Sequence, residues 1–204
     1  MSLSIDDYIT GFSATFPTPQ NSPPWLLTQQ LTNLLQEMMR HLDAAYLVQE
    51  GIAIHKTATI EQGVVLKAPV IIGENCFIGA NAYLRGGVYL GKGTTIGTGC
   101  EVKTSIVLQE SAIAHFNYIG DSIIGRKVNF EAGSIIANHY NEREDKQIRV
   151  LAGEEIIPTN VEKFGALVGD NCRIGANAVL SPGTILTKGT IVKRLELVAQ
   201  LSEA

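Results

Sequence analysis

An aliphatic side chain recurs at every sixth position of this chain of 204 residues, without a break over residues 54–108. The position two residues earlier is small or apolar, as at Ala58 and Cys76. The period resumes over residues 119–136 after a slip, and again over residues 168–192. A period of six does not fit an amphipathic α-helix, whose apolar face recurs every 3.6 residues. It predicts short β-strands with two inward side chains, each closed by a corner.

This pattern is similar to that of the left-handed parallel β-helix family, in which three hexapeptides make one triangular coil of about 18 residues. The fold class we expect is therefore all-β, a left-handed parallel β-helix of hexapeptide repeats. We expect about six coils over residues 51–192. The left hand follows from the resemblance, because general topology favours right-handed crossovers.

Composition excludes several classes of protein. Charged residues make up 18% of the chain and the net charge is −4, so a nucleic-acid-binding surface is not expected. No apolar run is long enough for a transmembrane helix, and the start MSLSIDDYITGF does not resemble a signal peptide. The three cysteines occupy small inward positions of the repeat, so we expect buried, reduced thiols in a cytoplasmic protein. They are Cys76, Cys100 and Cys172.

Three segments lie outside the repeat. Residues 1–50 are expected to form an N-terminal arm and a capping helix, near 24–42, that covers the open end of the coil. Residues 193–204 are expected to form a short C-terminal helix. The charged segment 138–164 interrupts the repeat and predicts an inserted loop that projects beside the coil and reaches a neighbouring subunit.

Residues one coil apart should lie above one another, about 4.8 Å apart. This stacks Gly73 under Gly91, at a corner where a positive φ is expected. It also stacks Lys67, Arg85 and Lys103 in one column. Like charges on neighbouring strands repel each other. The column is therefore either a solvated charged ladder or a site for an anion such as a phosphate.

Four histidines offer candidates for proton transfer. His41 and His55 are predicted to be surface residues, whereas His139 opens the inserted loop. His115 lies at the slip in the repeat, within AHFNYIGD. Irregularities in a regular scaffold are typical of functional sites, so His115 is the strongest candidate.

The segment AHFNYIGDSIIGRKVNFEAGSIIANHYN resembles the GHxxYxGDxxIGxxVNxGAGxxxxNYDG pattern of one family. This is the acetyltransferase domain of the bifunctional enzyme that makes UDP-N-acetylglucosamine. The resemblance implies that acetyl-CoA is the acyl donor, that His115 is the general base and that the active protein is a homotrimer. Sugar-phosphate contacts are implied at Arg85, Lys103, Tyr118 and Asn129, with Lys67 added by the column, and donor contacts at Ala132, Asn138, His139 and Ala176.

The chain departs from the family at several positions. His139 stands where the family has tyrosine, Ala176 stands where it has serine, and the segment after Asn138 is longer. Residues 1–50 are too short for the uridyltransferase domain of the bifunctional enzyme, so no uridyl transfer is expected of this chain.

Three functions remain open. The first is direct N-acetyl transfer to an amino-sugar phosphate similar to glucosamine 1-phosphate, with His115 taking the amine proton near neutral pH. The second is a non-catalytic β-helix protein that binds or senses a sugar phosphate or nucleotide sugar. The third is a zinc enzyme like the β-helical carbonic anhydrases. That enzyme needs three histidine ligands, usually with an HxxxxH pair, and the sequence has no such pair, so no metal site is expected.

Overall fold

The computed structural model describes residues 3–16 and 22–201. Three helices and 22 strands occur in this part of the chain. The helices are α1 (Ile5–Tyr8), α2 (Phe12–Thr15) and α3 (Pro24–Met39). The strands are β1 (Tyr46–Gln49), β2 (Ile52–His55), β3 (Thr59–Ile60), β4 (Val65–Leu66), β5 (Val70–Ile72), β6 (Phe77–Ile78), β7 (Tyr83–Leu90), β8 (Thr95–Ile96), β9 (Glu101–Val107), β10 (Ala112–Ile113), β11 (Tyr118–Gly120), β12 (Ile123–Ile124), β13 (Asn129–Phe130), β14 (Ile135–Ile136), β15 (Arg149–Ala152), β16 (Glu155–Pro158), β17 (Ala166–Val168), β18 (Arg173–Ile174), β19 (Val179–Leu180), β20 (Thr184–Leu186), β21 (Ile191–Val192) and β22 (Leu197–Val198).

The strands stack in parallel on three faces of a prism, which confirms the β-solenoid predicted from the period of six. The first face contains β2, β5, the end of β7, the end of β9, β12, β17 and β20. The second contains β3, β6, β8, β10, β13, β18 and β21. The third contains β4, the start of β7, the start of β9, β11, β14, β19 and β22. The described part thus has seven levels per face rather than about six. The left hand stays a prediction.

Aliphatic side chains from all three faces fill the inside of the prism. Ile72, Leu90, Ile96 and Val102 are fully buried there. The three cysteines are free and buried among them, and burial raises the pKa of each thiol. A buried, protonated thiol acts as a small hydrophobe, as the sequence predicted.

The coil is not uniform. Leu90 pairs with Val107, 17 residues away, because the corner between the third and first faces loses one residue at this level. The prediction that Leu108 points inward is therefore wrong. Val107 fills the inward position, and Leu108 packs outside the prism.

The stacked glycines are needed for space rather than for φ. A Cβ on Gly73 would lie 2.7 Å from the carbonyl oxygen of Leu90 in the next coil. The positive φ at this corner belongs to Asn75, at 55°. The expected positive φ at Gly73 and Gly91 is thus wrong, because the left-handed residue comes two positions later in the turn.

The first face is covered by segments from outside the repeat. Its outward side chains, such as Ile71 and Ile106, pack against Leu31 and Leu35 of α3, which are fully buried. Burying one such side chain stabilises a fold by roughly 1.5–3 kcal/mol. The predicted capping helix therefore covers a side of the prism and not its end, because its apolar stripe matches an apolar sheet face. At the N-terminal end of this face, β1 pairs antiparallel with β2.

The N-terminal segment and the insertion cover the same face. Residues 3–16 form α1 and α2 rather than an extended arm, and Phe12 and Phe16 are buried. Residues 17–21 lie outside the described residues. The insertion contains the hairpin β15–β16 and returns to the prism through buried Ile148 and Phe164. It packs against its own coil and does not simply project from it.

The predicted C-terminal helix is wrong for residues 193–201, the described part of 193–204. Leu197 and Val198 form β22, which pairs with β19. Val198 follows Val192 by six residues, so the hexapeptide period continues and determines a strand. Among the described helices, none is both long and apolar enough to cross a membrane.

Candidate active site at two corners of the coil

The turn between the second and third faces carries three of the predicted site residues, and we call it the histidine corner. His115, Ala132 and Ala176 occupy equivalent positions in successive coils. Gly133 donates its backbone N–H to the carbonyl of His115 at 2.9 Å, and Asn177 donates to Ala132 at 3.0 Å. The predicted base and two predicted donor contacts are therefore stacked in one column.

The imidazole of His115 is exposed, and within residues 3–16 and 22–201 it has no hydrogen-bond partner. Its backbone is fixed, because the carbonyl oxygen also accepts from Asn117 Nδ2 at 3.2 Å. Asn117 is itself buried, and its Oδ1 has no hydrogen-bond partner in the described part of the chain. The neighbouring Phe116 has φ of 57° and is 69% exposed. The slip in the repeat lies at the other corner, between the third and first faces, so the prediction that His115 lies at the slip is wrong. The histidine corner thus presents an imidazole to solvent without orienting it.

An ion pair lies across the top of the same column. Glu131 Oε1 and Oε2 accept from Arg194 Nη2 and Nε, each at 2.7 Å. Glu131 Oε2 also accepts the backbone N–H of Ala176 at 2.9 Å. The hydrogen bonds from Arg194 and Ala176 lower the pKa of Glu131 to about 2. The N–H of Ala176, a predicted donor contact, is therefore occupied by a carboxylate.

A groove of about 770 Å³ runs along the second face beside this column. Asn129, Arg173, Lys193 and Arg194 line it with Ile191. Asn129 is thus separated from Tyr118, because the two lie on different faces of the prism. The structure does not bring these two predicted acceptor contacts together within one chain.

The turn between the third and first faces carries the predicted cations, and we call it the cationic corner. Arg85 and Lys103 are register partners, as the coil arithmetic predicted. Arg85 forms an ion pair with Glu101, with Nη2 at 2.6 Å and Nε at 2.7 Å from Oε1. The side chain of Arg85 remains 36% exposed.

Lys103 is more enclosed than Arg85. Its ammonium group lies 2.5 Å from Asp121 Oδ2, and the two side chains are 16% and 9% exposed. Asn138 Nδ2 donates to the same oxygen of Asp121. Asn138 Oδ1 lies 3.4 Å from His139 Nδ1. A predicted acceptor contact and a predicted donor contact therefore share one carboxylate.

Tyr118 reaches this corner across the third face. A Cβ on Gly120 would lie 2.7 Å from the Tyr118 hydroxyl and 3.0 Å from Asn138 Cβ, so only glycine leaves room there. Burial, and then the charges of Asp121 and Glu101, raise the pKa of Tyr118. The hydroxyl thus stays protonated near neutral pH and can donate a hydrogen bond.

The predicted cationic column is only partly available to an anion. Of its three cations, Arg85 and Lys103 are neutralised within the chain, whereas Lys67 is exposed and has no ion pair in the described structure. Sequence analysis missed both carboxylates, Glu101 and Asp121. Coil arithmetic with a period of 18 does place Asp121 next to Lys103, but the coil is one residue shorter at this level and the register partner of Lys103 is Gly120.

The two corners are opposite edges of the third face. Gly120, the register partner of Lys103, is five positions after His115, which is at most roughly 16 Å of extended backbone. Arg85 lies two strand levels away from Gly120 along the same face, so it is farther from His115 than Lys103 is.

Comparison with known families identifies the repeat. Residues 69–104 match the bacterial transferase hexapeptide (six repeats), and residues 165–193 match the hexapeptide repeat of succinyl-transferase. The bifunctional sugar-1-phosphate nucleotidylyltransferase/acetyltransferase of Sulfurisphaera tokodaii is 37% identical over 73 residues, 36% of this chain and 18% of that protein. The bifunctional protein GlmU of Methanococcus maripaludis is 40% identical over 72 residues, 35% of this chain and 16% of that protein. The chain spans less than a fifth of the length of these relatives.

Solved structures include similar chains. A hexapeptide transferase family protein from Anaplasma phagocytophilum matches with a TM-score of 0.33 and 20% identity over 76% of this chain and 82% of that one. A GDP-perosamine N-acetyl transferase from Caulobacter crescentus, solved with CoA and GDP-perosamine, matches with a TM-score of 0.33 and 16% identity. That match covers 83% of this chain and 68% of the other.

Proposed function

We infer, since two hexapeptide-transferase models match residues 69–104 and 165–193, that this chain transfers an acetyl group from acetyl-CoA to the amine of an amino-sugar phosphate similar to glucosamine 1-phosphate. One observation carries the proposal. The exposed imidazole of His115, which has no partner among the described residues, lies at one edge of the third face, and the arginine and lysine predicted to hold the phosphate lie at the other. Similarity to a bifunctional sugar-1-phosphate nucleotidylyltransferase/acetyltransferase, which covers 36% of this chain, supports the proposal.

The chemistry needs one base and no acylated residue. The neutral amine attacks the thioester carbonyl, a C–N bond forms, and the C–S bond breaks. His115 takes the proton that the amine nitrogen loses, and the resulting imidazolium gives that proton to the leaving CoA thiolate. Imidazole suits this role because its ordinary pKa lies near neutral pH. The free imidazole of His115 would be oriented by the bound amine.

The acceptor would lie on the third face, with its phosphate towards Arg85, Lys103 and the exposed Lys67. Each ion-paired cation has further N–H donors available, because guanidinium has five and ammonium three. The Tyr118 hydroxyl would donate to the sugar. Asn129 would contact the acceptor only from a neighbouring copy, since it faces the groove on the second face.

The oxyanion of the tetrahedral intermediate needs N–H donors that are still free. Gly133 N–H is bonded to His115, and Ala176 N–H is bonded to Glu131. Neither can stabilise the oxyanion as the chain stands. Donor binding near Ala132 and Ala176 would therefore begin with displacement of Glu131.

Assembly as a homotrimer belongs to the same proposal. Several apolar side chains of the third face are exposed, among them Val65 at 44%, Ile135 at 41% and Leu197 at 66%. Packing between copies would cover them and could bring Asn129 of one copy towards Tyr118 of another. We propose that the protein is cytoplasmic, because its three cysteines are free thiols.

A second function is supported by specific observations. Two of three cations are neutralised inside the chain, and nothing in the described residues orients His115. A protein that only binds a sugar phosphate or a nucleotide sugar would need no oriented base, whereas the neutralised cations weaken phosphate binding for either function.

Two measurements separate these functions. Release of free CoA from acetyl-CoA is followed with glucosamine 1-phosphate, with glucosamine and with a nucleotide-linked amino sugar. Calorimetry then measures binding of each acceptor without the donor. Turnover that is fastest with the phosphorylated acceptor supports the transferase. Binding without turnover on any amino sugar supports the binding protein.

A further inference from the structure

We propose that Asp121 is a positioning residue that holds Lys103, on the acceptor side, and Asn138, on the donor side, in one arrangement. This inference rests on the proposed function and adds a residue that the sequence did not single out. In this arrangement the carboxylate of Asp121 couples the binding of both substrates.

The contacts of Asp121 support this role. Its Oδ2 accepts a hydrogen bond from Lys103 Nζ at 2.5 Å and another from Asn138 Nδ2. The side chain of Asp121 is 9% exposed, so solvent cannot easily replace either contact. Hydrogen bonds to a charged group are about twice as strong as neutral ones. The position of both donors therefore depends on a single oxygen atom.

The backbone of Asp121 is equally well fixed. Its N–H donates to the carbonyl of Lys103 at 2.8 Å, and its carbonyl accepts from Gly165 at 3.0 Å. Asn138 begins the insertion and Gly165 follows its end, so Asp121 contacts both ends of that segment. Its φ of 45° is left-handed, a conformation that aspartate and asparagine tolerate better than most residues.

Two substitutions separate the parts of this role. Asp121→Ala removes both contacts. Asp121→Asn keeps the shape and the left-handed backbone, and its amide oxygen can accept from both donors without the charge. The contact to the neutral Asn138 should survive this change better than the contact to the Lys103 ammonium.

The two substitutions should differ in how they change KM for the acceptor and KM for acetyl-CoA. Asp121→Ala should raise KM for glucosamine 1-phosphate and for acetyl-CoA, each on the order of tenfold, because the enclosed Lys103 and Asn138 lose the partner that positions them, and this outweighs the removal of a negative charge. Asp121→Asn should keep KM for acetyl-CoA within about twofold and raise only the acceptor KM. A purely structural defect lowers the active fraction, and hence kcat, but leaves both KM values unchanged.

Glu110→Ala is the matched control. Glu110 is also a corner carboxylate with left-handed φ, at 59°, and it pairs with Lys127 at 3.6 Å. It lies at the corner between the first and second faces, away from the predicted site. Its loss should leave both KM values unchanged.

A measurement without substrate tests the pairing itself. Acetic anhydride labels free lysine amines, and mass spectrometry gives the rate for Lys103 relative to Lys92. Loss of Asp121 should accelerate labelling of Lys103 several-fold, whereas the Lys92 pair with Glu74, at 2.9 Å, is unaffected.

The outcomes are distinct. A wild type that labels as expected but shows no turnover refutes the proposed function and leaves the Asp121 pairing supported. Unchanged KM values for both substrates in Asp121→Ala, or equal Lys103 labelling with and without Asp121, overturn the inference. A rise in the acceptor KM alone in Asp121→Ala also overturns it, because Asn138 is then not held by Asp121.

Discussion

The two corners that border the third face differ in how far the chain itself completes them. At the cationic corner, Lys103 and Asn138 are enclosed and both donate to Asp121. At the histidine corner, the imidazole of His115 faces solvent with no partner among the described residues. The chain therefore preorganises the contacts predicted to hold substrates and leaves the predicted base to be oriented by what binds.

The difference has a cause in the coil. The cationic corner is where one residue is lost from the coil and where the insertion leaves and returns, so neighbouring turns are drawn together there. The histidine corner keeps its regular turn in each coil, and regular turns point their middle residue outward.

The largest effect on activity should come from a substitution at the histidine corner. We expect His115→Ala to lower kcat by on the order of 10²–10⁴, the usual contribution of a general base, with little change in the acceptor KM. Steady-state kinetics with acetyl-CoA and glucosamine 1-phosphate measures this after circular dichroism shows an intact fold. His55→Ala is the control, since His55 bonds Thr57 at 2.9 Å on another corner. Wild-type kcat in His115→Ala would remove His115 from the mechanism.

The cationic corner should respond in KM instead. Arg85→Ala removes a phosphate contact made in ground and transition states, and it leaves the Glu101 carboxylate unpaired beside the phosphate. We expect the acceptor KM to rise by about tenfold or more and kcat to fall less. Adding Glu101→Ala should recover part of the loss, because the repelling charge is gone. A fall in kcat at constant KM would contradict the distinction between the corners.

A smaller effect should follow from opening the ion pair above the histidine corner. Glu131→Gln keeps an acceptor for Ala176 N–H and weakens the bond to Arg194. Arg194 then becomes available to the phosphates of the donor, so KM for acetyl-CoA should fall by about threefold. Glu110→Gln is the control at a distant corner. A higher donor KM in Glu131→Gln would show that Glu131 helps to bind the donor rather than obstructs it.

The smallest effect concerns acid stability. The folded-state pKa of Glu131 is about 2, below its ordinary value of 4.5, so its ionised form stabilises the fold above pH 4.5. That contribution is lost as pH falls from about 4.5 to 2. The thermal midpoint of the wild type should therefore fall more steeply across this window than that of Glu131→Gln. The same dependence of thermal midpoint on pH in the two proteins would contradict the ion pair between Glu131 and Arg194.

The six-residue period predicted which side chains point inward, but it did not predict where a corner of the coil is shortened. Inward side chains such as Ile72 and Leu90 follow from spacing alone, because a strand alternates its faces. Val107 replaces Leu108 inside the prism because one corner is a residue shorter, and nothing in the aliphatic pattern marks that loss.

Partners at the site were harder to predict than positions. The column of Arg85 and Lys103 follows from coil arithmetic, but Glu101 precedes Lys103 on the same strand and pairs with Arg85 across a level. Predicting that pair requires the side-chain direction as well as the register. The docking side of α3 also depends on which face is left apolar, and that is determined by outward residues such as Ile71 and Ile106.

If both corners bind one ligand, a crystal structure with N-acetylglucosamine 1-phosphate and CoA will show it. We expect electron density on the third face, with the phosphate bonded to Arg85 or Lys103. We also expect the acetamido nitrogen within about 3 Å of the His115 imidazole. A sugar phosphate bound in the groove of the second face, away from Arg85 and Lys103, would contradict it.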